Sequence, residues 1–311
     1  QTGPERTKSR KNQRTFSDRS APSVKRTPCY HYLRISHQPP SRIPPARWNT
    51  GRDYQAGTPG VPIRTDVCPP LRTGLLYDAV TAPASHTDRL PGDPRVVTRV
   101  YALTDVGRTR KHNEDTFLVA DLDTGTPLDF TDGDHELTPD PHGLLFLVAD
   151  GMGGAASGEL ASSMAGTIVL EALRQTWTSA DPSPAAFAEA LRDATVLANA
   201  RIHQHARDNP AHRGMGTTAT IAGLLGDHLF LVQVGDSRAY LVRDGAVQQL
   251  TKDQSLMQRL VEAVELTVEE AEVSERRNII LQALGPEAHV TIDLTHQQLR
   301  RGDTLILCSD G

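Results

Sequence analysis

The sequence predicts a domain of mixed α and β structure, and three observations predict it. From about residue 96 the chain turns into short β-favouring segments punctuated by glycine. Two stretches carry apolar residues at helical spacing, Leu160, Met164, Ile168, Leu173 and Trp177, then Phe187, Leu191, Ala194, Ala198 and Ile202. A further run of strand-like segments over 217–250 has the rhythm of a meander.

What precedes residue 96 has a different composition. Residues 1–100 hold 17 Lys and Arg against 7 Asp and Glu, whereas residues 101–311 hold 16 against 31. Fourteen of the 21 prolines fall in the first hundred residues, and Pro39-Pro40, Pro44-Pro45 and Pro69-Pro70 interrupt regular structure. Residues 1–92 are therefore expected to be a disordered basic segment, and 93–311 a folded domain. The basic residues are scattered among prolines without an amphipathic stripe, so no nucleic-acid partner is expected. Cys29, Cys68 and Cys308 are too few and too dispersed for a disulfide framework, which favours a reducing cytoplasm. The longest apolar runs fall far short of the roughly 20 residues of a membrane span, so no membrane contact is expected either.

Along the domain, residues 96–103 and 116–120 read as strands. The acidic stretch 121–141 is a solvated hairpin loop, because its carboxylates lack the spacing of a calcium-binding loop. Residues 143–149 are almost wholly apolar, as in a strand covered on both faces, and run into Asp150-Gly151-Met152-Gly153-Gly154. The two amphipathic helices follow, with a turn at 181–184. Strands are expected at 217–225, 228–234, 239–242 and 246–250, with Asp244-Gly245 marking a hairpin turn. Helices over 255–264 and 267–276 then lead to strands near 290–294 and 304–308.

Acidic residues recur at the ends of these strands: Glu114-Asp115, Asp150, Asp236 and Asp310. Carboxylates at the rim of buried strands lose hydration and repel one another unless cations neutralise them. Oxygen donors without a His/Cys grouping favour hard ions, magnesium or manganese, over zinc. Glycines after Asp150 let the backbone turn sharply and bring a carbonyl to an ion.

The order of these motifs resembles the protein phosphatase 2C (PP2C, or PPM) family of metal-dependent serine/threonine protein phosphatases, bacterial in type, over residues 101–311. Its opening pattern is matched by Asp105, Gly107, Arg110, Asn113, Glu114 and Asp115, and its central pattern by Asp150 to Gly154 followed by Gly158-Glu159. Gly214 to Thr218, Val234 to Arg238 and Ser309 to Gly311 match the later ones, while Gln254 stands where the family usually has His. The resemblance implies an α+β fold: an α-β-β-α sandwich of two mainly antiparallel sheets flanked by helices on both outer faces, its C-terminal elements absent from this sequence. That absent part includes an Asp-Asn pair whose Asp completes the metal site, so the chain is expected to be a fragment whose own activity is in doubt.

The roles it implies are these. Asp150 bridges two ions, Mn2+ or Mg2+, Gly151 lends its carbonyl and Asp310 binds the second ion. Glu114 and Asp115 act largely through bound water, and Asp236 shares a third ion with Asp310. Paired ions about 3.5–4 Å apart activate water for in-line attack on phosphorus, and Arg110 binds the phosphate with its planar fork. Met152 cannot donate a proton to the leaving alkoxide, and His112 reads as a spacer, so the general acid is left unassigned. Cys308 reads as a small buried strand residue, and residues 255–276 as a flap bearing on substrate choice. The implied partners are phosphoserine and phosphothreonine proteins, set against a bacterial serine/threonine kinase. The alternative is a noncatalytic phosphoprotein-binding module that keeps the fold and has lost turnover.

Overall fold

The computed structural model describes residues 32–38, 97–107, 110–131, 133–139, 141–177 and 183–309. The first strand, β1 (Tyr32–Gln38), lies within the segment expected to be disordered. The sequence reading overlooked it because its neighbours are proline-rich, yet residues 32–38 contain no proline and include Tyr32, Leu33 and Ile35, which favour strands. It pairs antiparallel with two other strands at once, so its backbone groups have partners on both sides. The rest of 1–92 lies outside the described residues.

Strands β2 (Val97–Leu103), β3 (Asp115–Asp121), β4 (Thr126–Pro127), β5 (His135–Leu137) and β6 (Leu144–Met152) follow. The acidic loop between β3 and β5 is a turn fixed by its own carboxylates. Asp121 Oδ1 accepts from the Asp123 N–H at 2.8 Å, and the Asp129 side chain accepts from both the N–H and the hydroxyl of Thr131.

Helix α1 (Ala155–Thr176) starts from Gly154, whose φ of 91° no residue with a Cβ adopts readily. Helix α2 (Pro184–Asp208) starts in the conventional way. Ser183 caps it through the Ala186 N–H, and Pro184 occupies its first turn, where a missing N–H costs nothing. The turn expected at 181–184 lies partly outside the described residues.

After a single 3-10 turn (Pro210–His212) come β7 (Gly216–Thr217), β8 (Ala219–Leu225), β9 (His228–Val234), β10 (Arg238–Arg243) and β11 (Ala246–Gln249). Asp244 and Gly245 both have positive φ, 52° and 79°, as the tight β10–β11 hairpin requires. The flap holds α3 (Leu256–Glu262), capped by Ser255, and α4 (Val268–Val273), opened by a reciprocal Thr267–Glu270 capping box. The chain returns through β12 (Asp293–Gln298), three residues later than expected, and β13 (Thr304–Cys308).

The strands form two antiparallel sheets. One has the order β11-β10-β13-β1-β2-β5; the other runs β12-β9-β8-β6-β3-β4, with β7 paired beside β6. Strand β6 explains the packing. Leu145, Leu147 and Ala149 face a core shared with α1 and α2, while Leu144, Phe146 and Val148 face the layer between the sheets, and none is more than 2% exposed. An unbroken apolar run is what a strand covered on both faces demands. Along β2, by contrast, buried and half-buried residues alternate. Both long helices pack on the sheet that contains β6.

Candidate functional site

The strand ends bring two of the expected carboxylates, Asp115 and Asp150, into register. Asp115 opens β3 directly opposite Asp150 near the end of β6, as paired residues of one antiparallel ladder. The Ser309 hydroxyl, just past β13 in the other sheet, donates to Asp115 Oδ2 at 2.8 Å. This bond joins residues 194 apart and ties the two sheets at their carboxylate end.

Close backbone approach shapes the floor of the site. The Gly151 N–H donates to the Glu114 carbonyl at 3.1 Å, and the buried Ser162 hydroxyl on α1 donates to that same carbonyl at 2.7 Å. A Cβ on Gly151 would lie 2.1 Å from the Gly158 carbonyl oxygen, and one on Gly158 would lie 2.6 Å from Glu114 Oε2. Glu114 therefore sets its carboxylate over the first turn of α1, where the positive end of the helix favours an anion. Glycine at both positions is a packing requirement, which is the physical content of the Gly158-Glu159 motif.

The loop carrying Arg110 is closed by Asn113. Its amide donates to the Thr104 hydroxyl at 2.8 Å and its oxygen accepts from the Asp115 N–H at 3.1 Å, while Asp105 Oδ1 accepts from the Gly107 N–H at 2.6 Å. Arg110 itself is exposed, as is His112. Asp236 is 7% exposed in the turn between β9 and β10. Asp310 lies outside the described residues. Cys308 is half-buried rather than buried.

Sequence reasoning missed two groups here. Arg238 grips Asp253 with two nitrogens at 2.6–3.0 Å, and this pairing drives its own pKa further above the usual guanidinium range. Gln254, at the departure from the family pattern, accepts from the Gly235 N–H through Oε1 at 2.9 Å and donates from Nε2 to Asp293 Oδ2 at 2.9 Å. It thus anchors the turn that bears Asp236 to the start of β12. The unusual residue was the available signal.

Among the described residues no group of three or more His, Cys, Asp and Glu is assembled closely enough to hold a metal ion, a count that excludes Asp310. The donor chemistry nonetheless fits a hard cation. Two half-buried carboxylates, Asp115 and Asp150, face each other across one rung, and a glycine cradle leaves backbone oxygen beside them. A cavity of about 440 Å³ lies elsewhere, in the flap between Met257, Leu260, Leu266 and Arg276, and holds none of the candidate site residues.

The protein phosphatase 2C family model matches residues 131–311. The serine/threonine phosphatase Stp of Listeria welshimeri is 35% identical over 208 residues, which cover 67% of this chain and 75% of that protein. PstP, a serine/threonine protein phosphatase of Mycobacterium tuberculosis, is 37% identical over 218 residues, 70% of this chain and 36% of the relative. Among solved structures, the M. tuberculosis PstP/Ppp phosphatase superposes with a TM-score of 0.52 at 35% identity, covering 66% of this chain and 75% of that one. The Streptococcus agalactiae serine/threonine phosphatase gives 0.55 at 31% identity, covering 69% and 79%. Fold and relatives define a serine/threonine protein phosphatase with the PP2C sandwich. The chain belongs to the protein phosphatase 2C family, in its bacterial branch, and is a protein phosphatase. Among the described residues no helix is long and apolar enough to cross a membrane.

Proposed function

We propose that this serine/threonine protein phosphatase hydrolyses phosphoserine and phosphothreonine on proteins at the carboxylate end of β3 and β6. The observation that carries the reading is the Asp115–Asp150 rung, with Glu114 over the α1 turn and Ser309 tying β13 to Asp115. Asp150, the Gly151 carbonyl, Glu114, Asp115 and Asp310 are the residues to hold two Mn2+ or Mg2+ ions, and Asp236 with Asp310 a third. When bound, such ions supply a hydroxide nucleophile near neutral pH and offset the charge of the phosphate.

The chain's own residues do the rest. Arg110, exposed on a loop pinned by Asn113, donates two parallel N–H bonds to phosphate oxygens and offsets the charge that grows on them. Asn113 keeps that loop and Asp115 in one frame, because the same side chain bonds to both. The buried Ser162 and Gly158 prevent the Glu114 segment from drifting off α1. The opposing activity is a bacterial serine/threonine kinase, whose phosphorylated products are the substrates.

Hydrolysis of a phosphothreonine peptide, followed with and without Mn2+, tests the reading. We expect turnover that needs the metal, is abolished in Asp150→Ala, and in Arg110→Ala falls by roughly 10²-fold or more, the scale of losing a charge-stabilising donor. Metal-dependent turnover that survives Asp150→Ala unchanged would overturn the assignment.

A further inference from the structure

Of the proposed metal-binding carboxylates, Asp150 stands on β6 and Asp236 in the turn between β9 and β10, and a buried chain of hydroxyls and one amide connects their backbones. The backbone of Asp150 is held by its neighbours on the Gly214-to-Thr218 motif. The Asp150 N–H donates to the Thr218 hydroxyl at 2.9 Å, the Thr218 N–H donates back to the Asp150 carbonyl at 2.9 Å, and the Thr217 hydroxyl reaches that carbonyl at 2.9 Å. The Thr218 oxygen then lies 2.7 Å from the Ser237 hydroxyl, next in sequence to Asp236.

On the other side, Gln233 clamps the turn that carries Asp236. Its amide nitrogen donates to the carbonyls of Gly235 and Ser237 at 3.0 and 2.7 Å, one on each flank of the aspartate. Its oxygen accepts from the Thr220 hydroxyl at 2.7 Å, and Thr220 also reaches the Ser237 carbonyl at 2.9 Å. Gly235 presses onto Thr218 so closely that a Cβ there would lie 2.7 Å from the threonine methyl. Thr217, Thr218, Thr220, Gln233 and Ser237 are all 0–2% exposed.

A polar cluster this dry costs free energy unless every member is paired. A purely structural strand pair would be stabilised as well or better by Val and Leu at these positions. Hydroxyls and an amide offer what apolar side chains cannot, which is fixed distances between particular backbone atoms. Here those atoms belong to Asp150 and to both neighbours of Asp236.

We infer that the Thr218–Ser237 hydroxyl bridge, braced by Gln233, is a positioning device that sets the separation of Asp150 and Asp236 and so tunes divalent-cation affinity. The inference rests on the proposed reading of both aspartates as metal ligands. None of these three residues is among the proposed ligands; they act through the backbone of those that are, as outer-layer partners of metal ligands commonly do.

The test is Mn2+ titration of the whole chain by calorimetry, with circular dichroism and the metal-free thermal midpoint recorded for each variant. Thr218→Val keeps the shape and removes the hydroxyl; it should stay folded and bind Mn2+ about 10–100-fold more weakly. Thr218→Ser restores the hydroxyl and should restore affinity, whatever it does to the midpoint. Ser237→Ala removes the bridge from the other end with little change in volume and should weaken Mn2+ in the same sense, so the idea stays testable if Thr218→Val does not fold. Folded Thr218→Val or Ser237→Ala with wild-type Mn2+ affinity would overturn the positioning role, leaving a purely structural one. Asp150→Ala separates the two claims. If it loses Mn2+ while Thr218→Val does not, only the bridge inference fails; if Asp150→Ala binds Mn2+ normally, the ligand reading itself fails.

Discussion

At the scale of single residues, the site is governed by how closely backbone can approach backbone, and glycines at two points of α1 make the contrast measurable. Gly158 meets Glu114 and the Gly151 segment, so an added Cβ would lie 2.6 Å from Glu114 Oε2 and 2.9 Å from the Gly151 carbonyl carbon. Gly166, two turns on, would place its Cβ 3.4 Å from the flexible end of Leu118. Gly158→Ala should therefore cost about 1–3 kcal/mol through overpacking and lower phosphatase activity by displacing Glu114. Gly166→Ala should raise stability by about 0.5–1 kcal/mol, the usual helix-interior gain, with activity unchanged. Denaturant unfolding beside a peptide assay checks both, and equal effects at the two positions would contradict the close-approach argument. The places of Asp150 near the end of β6 and of Glu114 just before β3 were legible in the sequence because glycine spacing and strand ends mark them. The Ser309–Asp115 bond and the Gln233 clamp were not, since they join residues that only the folded sheets bring together, and nothing local marks a Ser or Gln as a partner.

Secondary-structure elements add a layer in which exposure decides what titrates. Among the described residues β12 ends the second sheet, paired to β9 alone, and His228 and His296 meet across that pairing at 2.9 Å beside Asp227 and Phe230. Partial loss of water around a ring that is still exposed, then the neighbouring His228, holds the His296 imidazole below its usual pKa, with Asp227 opposing the shift. A histidine whose folded pKa lies below its unfolded value binds more protons when unfolded. Its stabilising contribution is thus complete above about pH 6.5 and declines as pH falls from there through the lowered folded value. Unfolding free energy should drop between pH 7.5 and 5.5, and His296→Gln should flatten that slope; an unchanged slope in the variant would assign the effect elsewhere. The elements were the most readable level. Strand β9 falls where its apolar run places it, and Asp244-Gly245 turns as that dipeptide should. Strand β12 slipped by three residues because its sequence, DLTHQQ, is mostly exposed and lacks the apolar signal that marks the inner strands. Strand β1 escaped because its partners, β2 and β13, are remote in sequence and its flanks are proline-rich.

On the scale of the whole molecule, one strand serves two cores. The helix-side core and the inter-sheet core share β6, whose alternate residues enter each, so neither can loosen without moving the strand that delivers Asp150. Fully buried Leu147 and Phe146 sample the two sides separately. Leu147→Ala should cost about 2–5 kcal/mol and Phe146→Ala about 3–5 kcal/mol, from lost burial and the cavity left behind. Within the first sheet, Arg243 at the end of β10 grips the buried Asp303 just before β13 through two nitrogens, and although burial alone would push the Asp303 carboxyl upward, those bonds and the Arg300 N–H hold it below the ordinary range. Its contribution is present above about pH 4 and lost as pH falls through the lowered folded value. Asp303→Asn should remove about 3 kcal/mol at pH 7, because it leaves Arg243 half-paired. If the shared strand couples the layers, all three variants shift one common transition. Far-ultraviolet circular dichroism reports both sheets, and fluorescence of Trp177, packed on Phe187 in the helix-side core, reports one layer when followed in a Trp48→Phe background. Coincident curves in the parent and in Phe146→Ala establish a single cooperative unit. A Trp177 transition that stays in place while circular dichroism moves would show that the layers melt independently, and that β6 holds Asp150 by local contacts alone.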